Sequence, residues 1–288
     1  MKIVTDCAAD MPPEELERYG VTEAPLYIQF PGEEIASSEI SPDAFYDRLE
    51  AMRPNIPTTA MPSTGLFAEL YSDLARHDPE ILSIHISSGL SGTIQAARAA
   101  GDQLKQHANV HFWDTLTLSG GQRFQVLAAA LAAQAGWTFQ AIQERLELLR
   151  ARTQVVYTLD TLEYLARGGR IGRVKALAGA LLHLKPVIRV DSDGKYTTAA
   201  TARTLQKSMD AITDHLQAAY ARLPVWVTVL HGRFEEKARD LEQRLRQTLN
   251  IATLETLRIS PVLGVHTGPG VVGAAVVPAD LMTSITRS

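Results

Sequence analysis

Cysteine is almost missing from this chain of 288 residues: Cys7 is the only one. A single thiol excludes an intrachain disulfide and leaves no cysteine-based metal cluster. A basic surplus is missing as well, since the formal net charge is −4. Without spare cations to release phosphate counterions, no nucleic-acid partner is expected. No apolar run approaches the roughly 20 residues that a membrane span requires. The opening string Met1-Lys2-Ile3-Val4-Thr5-Asp6 reads as a strand rather than a charged-then-apolar export signal. The G-x-x-x-x-G-K-[ST] phosphate loop is absent. Gly268-Pro269-Gly270-Val271-Val272-Gly273 has the spacing of a dinucleotide fingerprint, but a β-branched strand follows where that fingerprint needs a helix. His183, His231 and His266 lack metal-ligand spacing. There is no internal repeat and no low-complexity tract. These absences lead to the expectation of a soluble, cytoplasmic protein that holds neither a metal nor a cofactor.

What is present is ordinary in bulk, with 45% hydrophobic and 21% charged residues, and organised around one stretch. Ile81-Leu82-Ser83-Ile84-His85-Ile86-Ser87 alternates apolar and polar residues from Leu82 and is rich in β-branched side chains, so it predicts a strand. Ser88-Gly89-Leu90-Ser91-Gly92-Thr93 follows, and then the helix-forming Gln95-Ala96-Ala97-Arg98-Ala99-Ala100. Strand, hydroxyl-rich turn and helix start, in that order, bring free N–H groups and hydroxyls to the positive end of a helix dipole. Such an end receives a carboxylate or a phosphate. The same string also serves as a plain cap and tight turn, with Ser91 as the capping residue.

Further along the chain, strands are expected at 2–5, 25–30 and 109–114. Between them fall helices from Pro13, from the Ser41-Pro42 cap to about Met52, from Ser63, from just after Gly120-Gly121 to Gln134, and from Thr138 to about Arg150. The proline-punctuated segment 54–63 reads as an extended loop. Alternation of this kind predicts a largely parallel sheet with flanking helices, whose ligands sit beyond the carboxyl ends of the strands. The turns at Asp6, Ser88–Thr93 and Asp114-Thr115 all fall at such ends. From about residue 150 the pattern changes to strands at 154–159, 225–230, 252–259 and 271–277, a hairpin at 185–199 turning on Asp193-Gly194, and helices at 204–222 and 234–249, the last read as exposed. The expectation is an N-terminal α/β domain, 1–152, and a C-terminal α+β domain, 153–288.

Several side chains invite chemistry. Ser91, His266 and Asp114 would supply the parts of a serine hydrolase, although Ser91 is not in a G-x-S-x-G elbow. His85 lies within a strand and suits a buried, hydrogen-bonded place in the core. Arg167, Arg170 and Arg173 cluster around glycines, where they complement a helix C-terminus or clamp an anion. His266-Thr267-Gly268-Pro269-Gly270 reads as a rigid loop that lets backbone approach a ligand, or as an ordinary turn.

Lys2-Ile3-Val4-Thr5-Asp6, Thr59 to Ser63, Ser87 to Thr93, Leu162 to Ile171, Lys185-Pro186 and Gly264 to Gly270 together resemble the DegV family of bacterial fatty-acid-binding proteins. The resemblance covers the whole chain. It implies an acyl chain in a buried tunnel between or near the two domains. It also implies a separate ATP-dependent fatty-acid kinase, which makes the acyl phosphate for phospholipid synthesis. By position it puts Thr59 and Ser91 on the carboxylate, with Gly92 and His266 beside it. Arg170, Arg203, Ser63 and Thr93 would lie near the head group or the docked kinase, and Met61 and Ile28 would line the tunnel. The chain departs from the family where Thr59-Ala60-Met61-Pro62-Ser63 stands for the frequent Thr-Ser-Gln-Pro-Ser, Thr5-Asp6-Cys7 for Thr-Asp-Ser, and Asp114-Thr115 for Asp-Ser.

Overall fold

The computed structural model describes residues 1–174 and 184–285; His183 and the side chain of Arg173 lie outside the described residues. Strands β1 (Lys2–Asp6), β2 (Val21–Ala24), β6 (Glu80–His85) and β7 (Asn109–Asp114) form a wholly parallel sheet in the order β2-β1-β6-β7. Both faces of this sheet are covered, so β1 and β6 are buried on both sides and their polar residues Thr5, Asp6, Ser83 and His85 are buried with the apolar ones. Helices α3 (Thr64–Ala75) and α4 (Thr93–Gln103) cover one face, where Phe67, Tyr71, Ala97 and Ala100 pack on Val4 and Ile81. A small antiparallel sheet, β4-β3-β5, is made by β3 (Tyr27–Phe30), β4 (Glu33–Ala36) and β5 (Thr58–Ala60).

The second large sheet comes from β8 (Gln154–Leu159), β9 (Lys185–Val190), β10 (Tyr196–Ala202), β11 (Pro224–His231), β12 (Asn250–Arg258) and β13 (Val271–Pro278). Its order is β10-β9-β8-β13-β11-β12, antiparallel throughout except for the parallel pair β11–β12. Helices α8 (Leu205–Tyr220) and α9 (Glu235–Thr248) cover its outer face.

Helix α5 (Ser119–Gln134) lies between the two large sheets, touching β1 and β6 on one side and β8 and β13 on the other. A helix with sheets on both flanks is mostly apolar or small, and α5 is buried over nearly its whole length, its buried Gln122, Arg123 and Gln125 each meeting a hydrogen-bond partner. Gly120 and Gly121 belong to its first turn rather than preceding it. A Cβ on either would come within 2.7 Å of Ala275 Cβ or 2.5 Å of Val155 Cγ2, so these glycines set how closely helix and sheet approach. The main apolar cluster is accordingly continuous from Ile3 through Phe124 to Val271.

A buried cation sits inside this layer. Arg123 is 2% exposed and bridges Glu15 of α1 (Pro13–Tyr19) to Glu255 of β12, with Nε to Glu15 Oε2 at 2.8 Å and Nη2 to Glu255 Oε2 at 2.9 Å. A buried guanidinium is tolerable only when its donors are met by acceptors, as they are here.

The structure differs from the sequence reading in places. Segment 54–63 contains β5, β4 was not foreseen, and residues 261–267 form α10 (Pro261–Thr267), where an open loop was expected at His266-Thr267. The helix read as exposed at 234–249 buries Ala238, Leu241 and Leu245 on one face. The expected hairpin is present, with Tyr196 opposite Val190 and Gly194 at φ +71 in its turn. Because Arg123 ties a helix on the first sheet to an edge strand of the second, Arg123→Met is expected to cost about 3 kcal/mol of stability. Urea unfolding with an unchanged midpoint would contradict that role.

Candidate functional site

The turn after β6 stands at the carboxyl end of the parallel sheet. Leu90 N and Ser91 N both donate to Ser87 O at 3.0 Å, which winds the turn tightly. Ser87 Oγ donates to Gly194 O at 2.7 Å, so the tip of the β9–β10 hairpin docks on this turn. No side chain fits at the contact: a Cβ on Gly194 would lie 2.0 Å from Ser87 Oγ. Ser91 Oγ pairs with Thr93 Oγ1 at 2.8 Å, and α4 begins at Thr93 without a side-chain cap from Gly92.

Two more elements close the site. Thr59 is held in β5 opposite Ile28. Ser260 and Pro261 start α10, whose last turn carries His266. His266 Nε2 meets Thr59 Oγ1 at 3.0 Å, across 207 residues of sequence. Behind the imidazole, a Cβ on Gly168 would fall 2.3 Å from Nδ1, so the glycine makes room for the ring. Arg170 Nη1 donates to Gly168 O at 2.7 Å.

These groups surround a cavity of about 470 Å³. Its polar lining is Thr59, Ser91, Arg170 and His266, and neither Asp nor Glu is among the lining residues. Leu26, Ile86, Leu90, Tyr196, Val262 and Leu263 supply most of the apolar wall. The four polar residues are half-buried, beside exposed Gly92 and Met61 at 48% exposure, whereas Ile86, Tyr196 and Leu263 are buried. Tyr196 and Leu263 also line a second, much smaller void of about 30 Å³ among Leu118, Val155, Tyr157, Ile259 and Val271. A void with walls of this kind stays dry and gains contacts when apolar atoms fill it.

Burial, and then the Arg170 guanidinium, push the His266 imidazole down to about 3, so it is neutral at neutral pH. Its Nδ1 is buried without a partner. In the Nε2–H tautomer the ring donates to Thr59 Oγ1 and frees the Thr59 hydroxyl to donate into the cavity. Hydroxyl donors, a neutral imidazole and one guanidinium make a receptor for an anionic head group.

Of the residues singled out in the sequence, Thr59, Met61, Ser91, Gly92, Arg170 and His266 come together at this cavity. The others do not line it. Ser63 caps α3 by accepting from Leu66 N at 3.1 Å, and Thr93 is buried behind Ser91. Arg203 is exposed just beyond β10. Ile28, expected along the tunnel, is instead fully buried in the core next to cavity-lining Leu26. Sequence reasoning missed Leu26, Tyr196, Val262 and Leu263; the Ser260-Pro261 helix start was the available signal for the last two.

The hydrolase arrangement is not assembled. Ser91 Oγ is engaged by Thr93, and His266 by Thr59. Asp114 Oδ1 accepts from Ser88 N and Leu116 N, each at 3.1 Å. A triad-like chain does exist at Asp6–His85–Ser83, with His85 Nδ1 2.9 Å from Asp6 and Nε2 2.7 Å from Ser83. All three residues are 0% exposed, which bars a substrate; His85 has the core role expected of it.

A family model described as an uncharacterised protein of the DegV family matches residues 1–279. The chain belongs to the DegV family. A DegV domain-containing protein of Deinococcus radiodurans is 36% identical over 278 residues, covering 96% of this chain and 95% of that protein. A Thermus thermophilus DegV family structure described as fatty-acid-binding superposes with a TM-score of 0.90 at 32% identity, covering 96% and 99% of the two chains. DegV of Bacillus subtilis, described as a fatty-acid-binding protein, gives 0.87 at 28% identity, covering 96% and 98%. A stearic-acid-binding protein of Eubacterium ventriosum gives 0.88 at 26% identity, with the same coverage. Among the described residues, no helix of this DegV chain is long and apolar enough to cross a membrane.

The neutral imidazole has a consequence for stability. With a folded-state value near 3 against an ordinary 6.5, His266 contributes stability that is full above pH 6.5 and is lost as pH falls toward 3. Asp10 and Glu23, raised by burial to about 6 and about 7, act with the opposite sign and cancel when a variant is compared with the parent. From pH 7 to pH 5, His266→Gln should therefore gain about 2 kcal/mol relative to the parent in urea unfolding. A difference independent of pH would contradict a neutral His266.

Proposed function

We propose that this chain binds a long-chain fatty acid and presents its carboxylate to a separate ATP-dependent fatty-acid kinase, which forms the acyl phosphate. The observation that carries this reading is the lining of the cavity: half-buried Thr59, Ser91, Arg170 and His266 supply its polar groups, no carboxylate lines it, and its buried wall residues are apolar, two of which, Tyr196 and Leu263, also line a small apolar void. An acid's charged tip is costly to strip of water unless several donors receive it. Thr59, Ser91 and the start of α4 at Gly92 are those donors in this proposal, with His266 setting the Thr59 hydroxyl and Arg170 supplying positive charge.

Burial of the tail provides most of the affinity. At roughly 0.8 kcal/mol per CH₂, about ten methylenes contribute some 8 kcal/mol, more than the head-group contacts together. The head group therefore sets orientation, and orientation matters because the carboxylate must face outward to be phosphorylated. Tyr196 and Leu263 line both spaces, and in this proposal the tail lies along them. The fatty acids named for related proteins fit such a ligand, and in this proposal the ATP chemistry belongs to the partner. Arg203, exposed beyond β10, is proposed as part of the surface that meets that partner.

Native mass spectrometry of protein purified from a bacterium is expected to show one fatty acid per chain. Replacing both hydroxyls, Ser91→Ala with Thr59→Val, should leave the fold intact, weaken binding by about tenfold, and reduce kinase-dependent acyl phosphate formation further. Undiminished acyl phosphate from the double variant would remove the assigned roles, and a chain that takes up no fatty acid would remove the function.

A further inference from the structure

Met61 stands at the surface end of the cavity, in the place where the sequence departs from the family's frequent glutamine. It is 48% exposed, whereas Met11, Met209 and Met282 are at most 6% exposed. Its thioether presses on the start of α4: a Cβ on Gly92 would come within 2.9 Å of Met61 Sδ. Gly92 brings no side-chain cap to that helix. The most exposed of these methionines thus lies against the backbone that the proposed head-group site uses.

We propose that Met61 is an oxidation site that governs access to the cavity. A peroxide transfers one oxygen to the thioether sulfur, whose lone pair forms the new S–O bond while the O–O bond breaks; the products are methionine sulfoxide and water or an alcohol. The step converts a flexible apolar side chain into a polar one and is reversible by methionine sulfoxide reductases. The sulfoxide oxygen is a strong acceptor placed beside Gly92 and Ser91, where it competes with a carboxylate for the same donors. It also puts a dipole on the path of an apolar tail. Oxidation therefore lowers fatty-acid affinity without unfolding the chain, because the core is not breached. This consequence rests on the fatty-acid reading, but the site of oxidation does not.

The test treats the full chain with limiting hydrogen peroxide and locates the added oxygen by peptide mass. Binding of a long-chain fatty acid is measured before treatment, after it, and after repair by a sulfoxide reductase. Met61 should gain oxygen ahead of the buried methionines, affinity should fall by about tenfold, and repair should restore it. Met61→Leu, whatever its own starting affinity, should keep that affinity through peroxide, while Met52→Leu should remain sensitive. Oxidation that goes first to another methionine, an unchanged affinity once Met61 carries oxygen, or equal sensitivity of Met61→Leu would each overturn the proposal. Untreated protein that takes up no fatty acid overturns the carrier reading and the consequence together; the mass measurement still decides whether Met61 is the preferred site.

Discussion

The cavity depends on one hydrogen bond, between His266 and Thr59, which closes it between a strand of the small sheet and the helix that joins β12 to β13 of the second large sheet. Burial keeps that imidazole uncharged, so the bond orients a hydroxyl without adding a cation. The positive charge comes instead from Arg170, which holds its place through the Gly168 carbonyl. In the proposed site, separating orientation from charge in this way lets an anion be received while the walls remain apolar.

What holds these segments in register is the layer around α5. The helix is pinched between two sheets, and Arg123 within it grips Glu15 on one side and Glu255 on the other. A second pin is Asp10, which accepts from Ser119 Oγ at 2.5 Å and from Ser260 N at 2.7 Å. Through it the turn after β1, the start of α5 and the start of α10 are tied together. The helix that carries His266 is therefore positioned by the same group that anchors the central layer. The docked hairpin adds a third tie, from Gly194 to Ser87, directly beneath the turn that carries Ser91.

Much of this was legible in the residues, and the limits have physical causes. The strand–turn–helix at 81–100 could be read because every part of its signal is local: alternation, hydroxyls with glycines, then helix formers. The caps at Ser41, Ser63 and Thr138 were equally plain, and each accepts a backbone N–H as expected. The pairing of Thr59 with His266 left no local trace; the resemblance to the family put each of them near the head group but did not give the bond between them. The apolar wall was invisible for a different reason. A leucine facing a cavity and one facing the core carry the same sequence signature, which is how Ile28 was expected along the tunnel and Leu26 was not. The helix at 261–267 was overlooked because the glycines after His266 drew the reading toward a loop, although Ser260-Pro261 already marked its start.

The claim that a fatty acid's charged tip rests on the Thr59 and Ser91 hydroxyls, with His266 behind Thr59, is tested most directly by NMR of a long-chain fatty acid labelled at its carboxyl carbon. With delipidated protein at neutral pH, one bound carboxyl resonance is expected, that of an ionised acid in slow exchange, and Thr59→Val should move it. A carboxyl signal that matches the free or micellar acid, or that ignores the Thr59 substitution, would contradict the site.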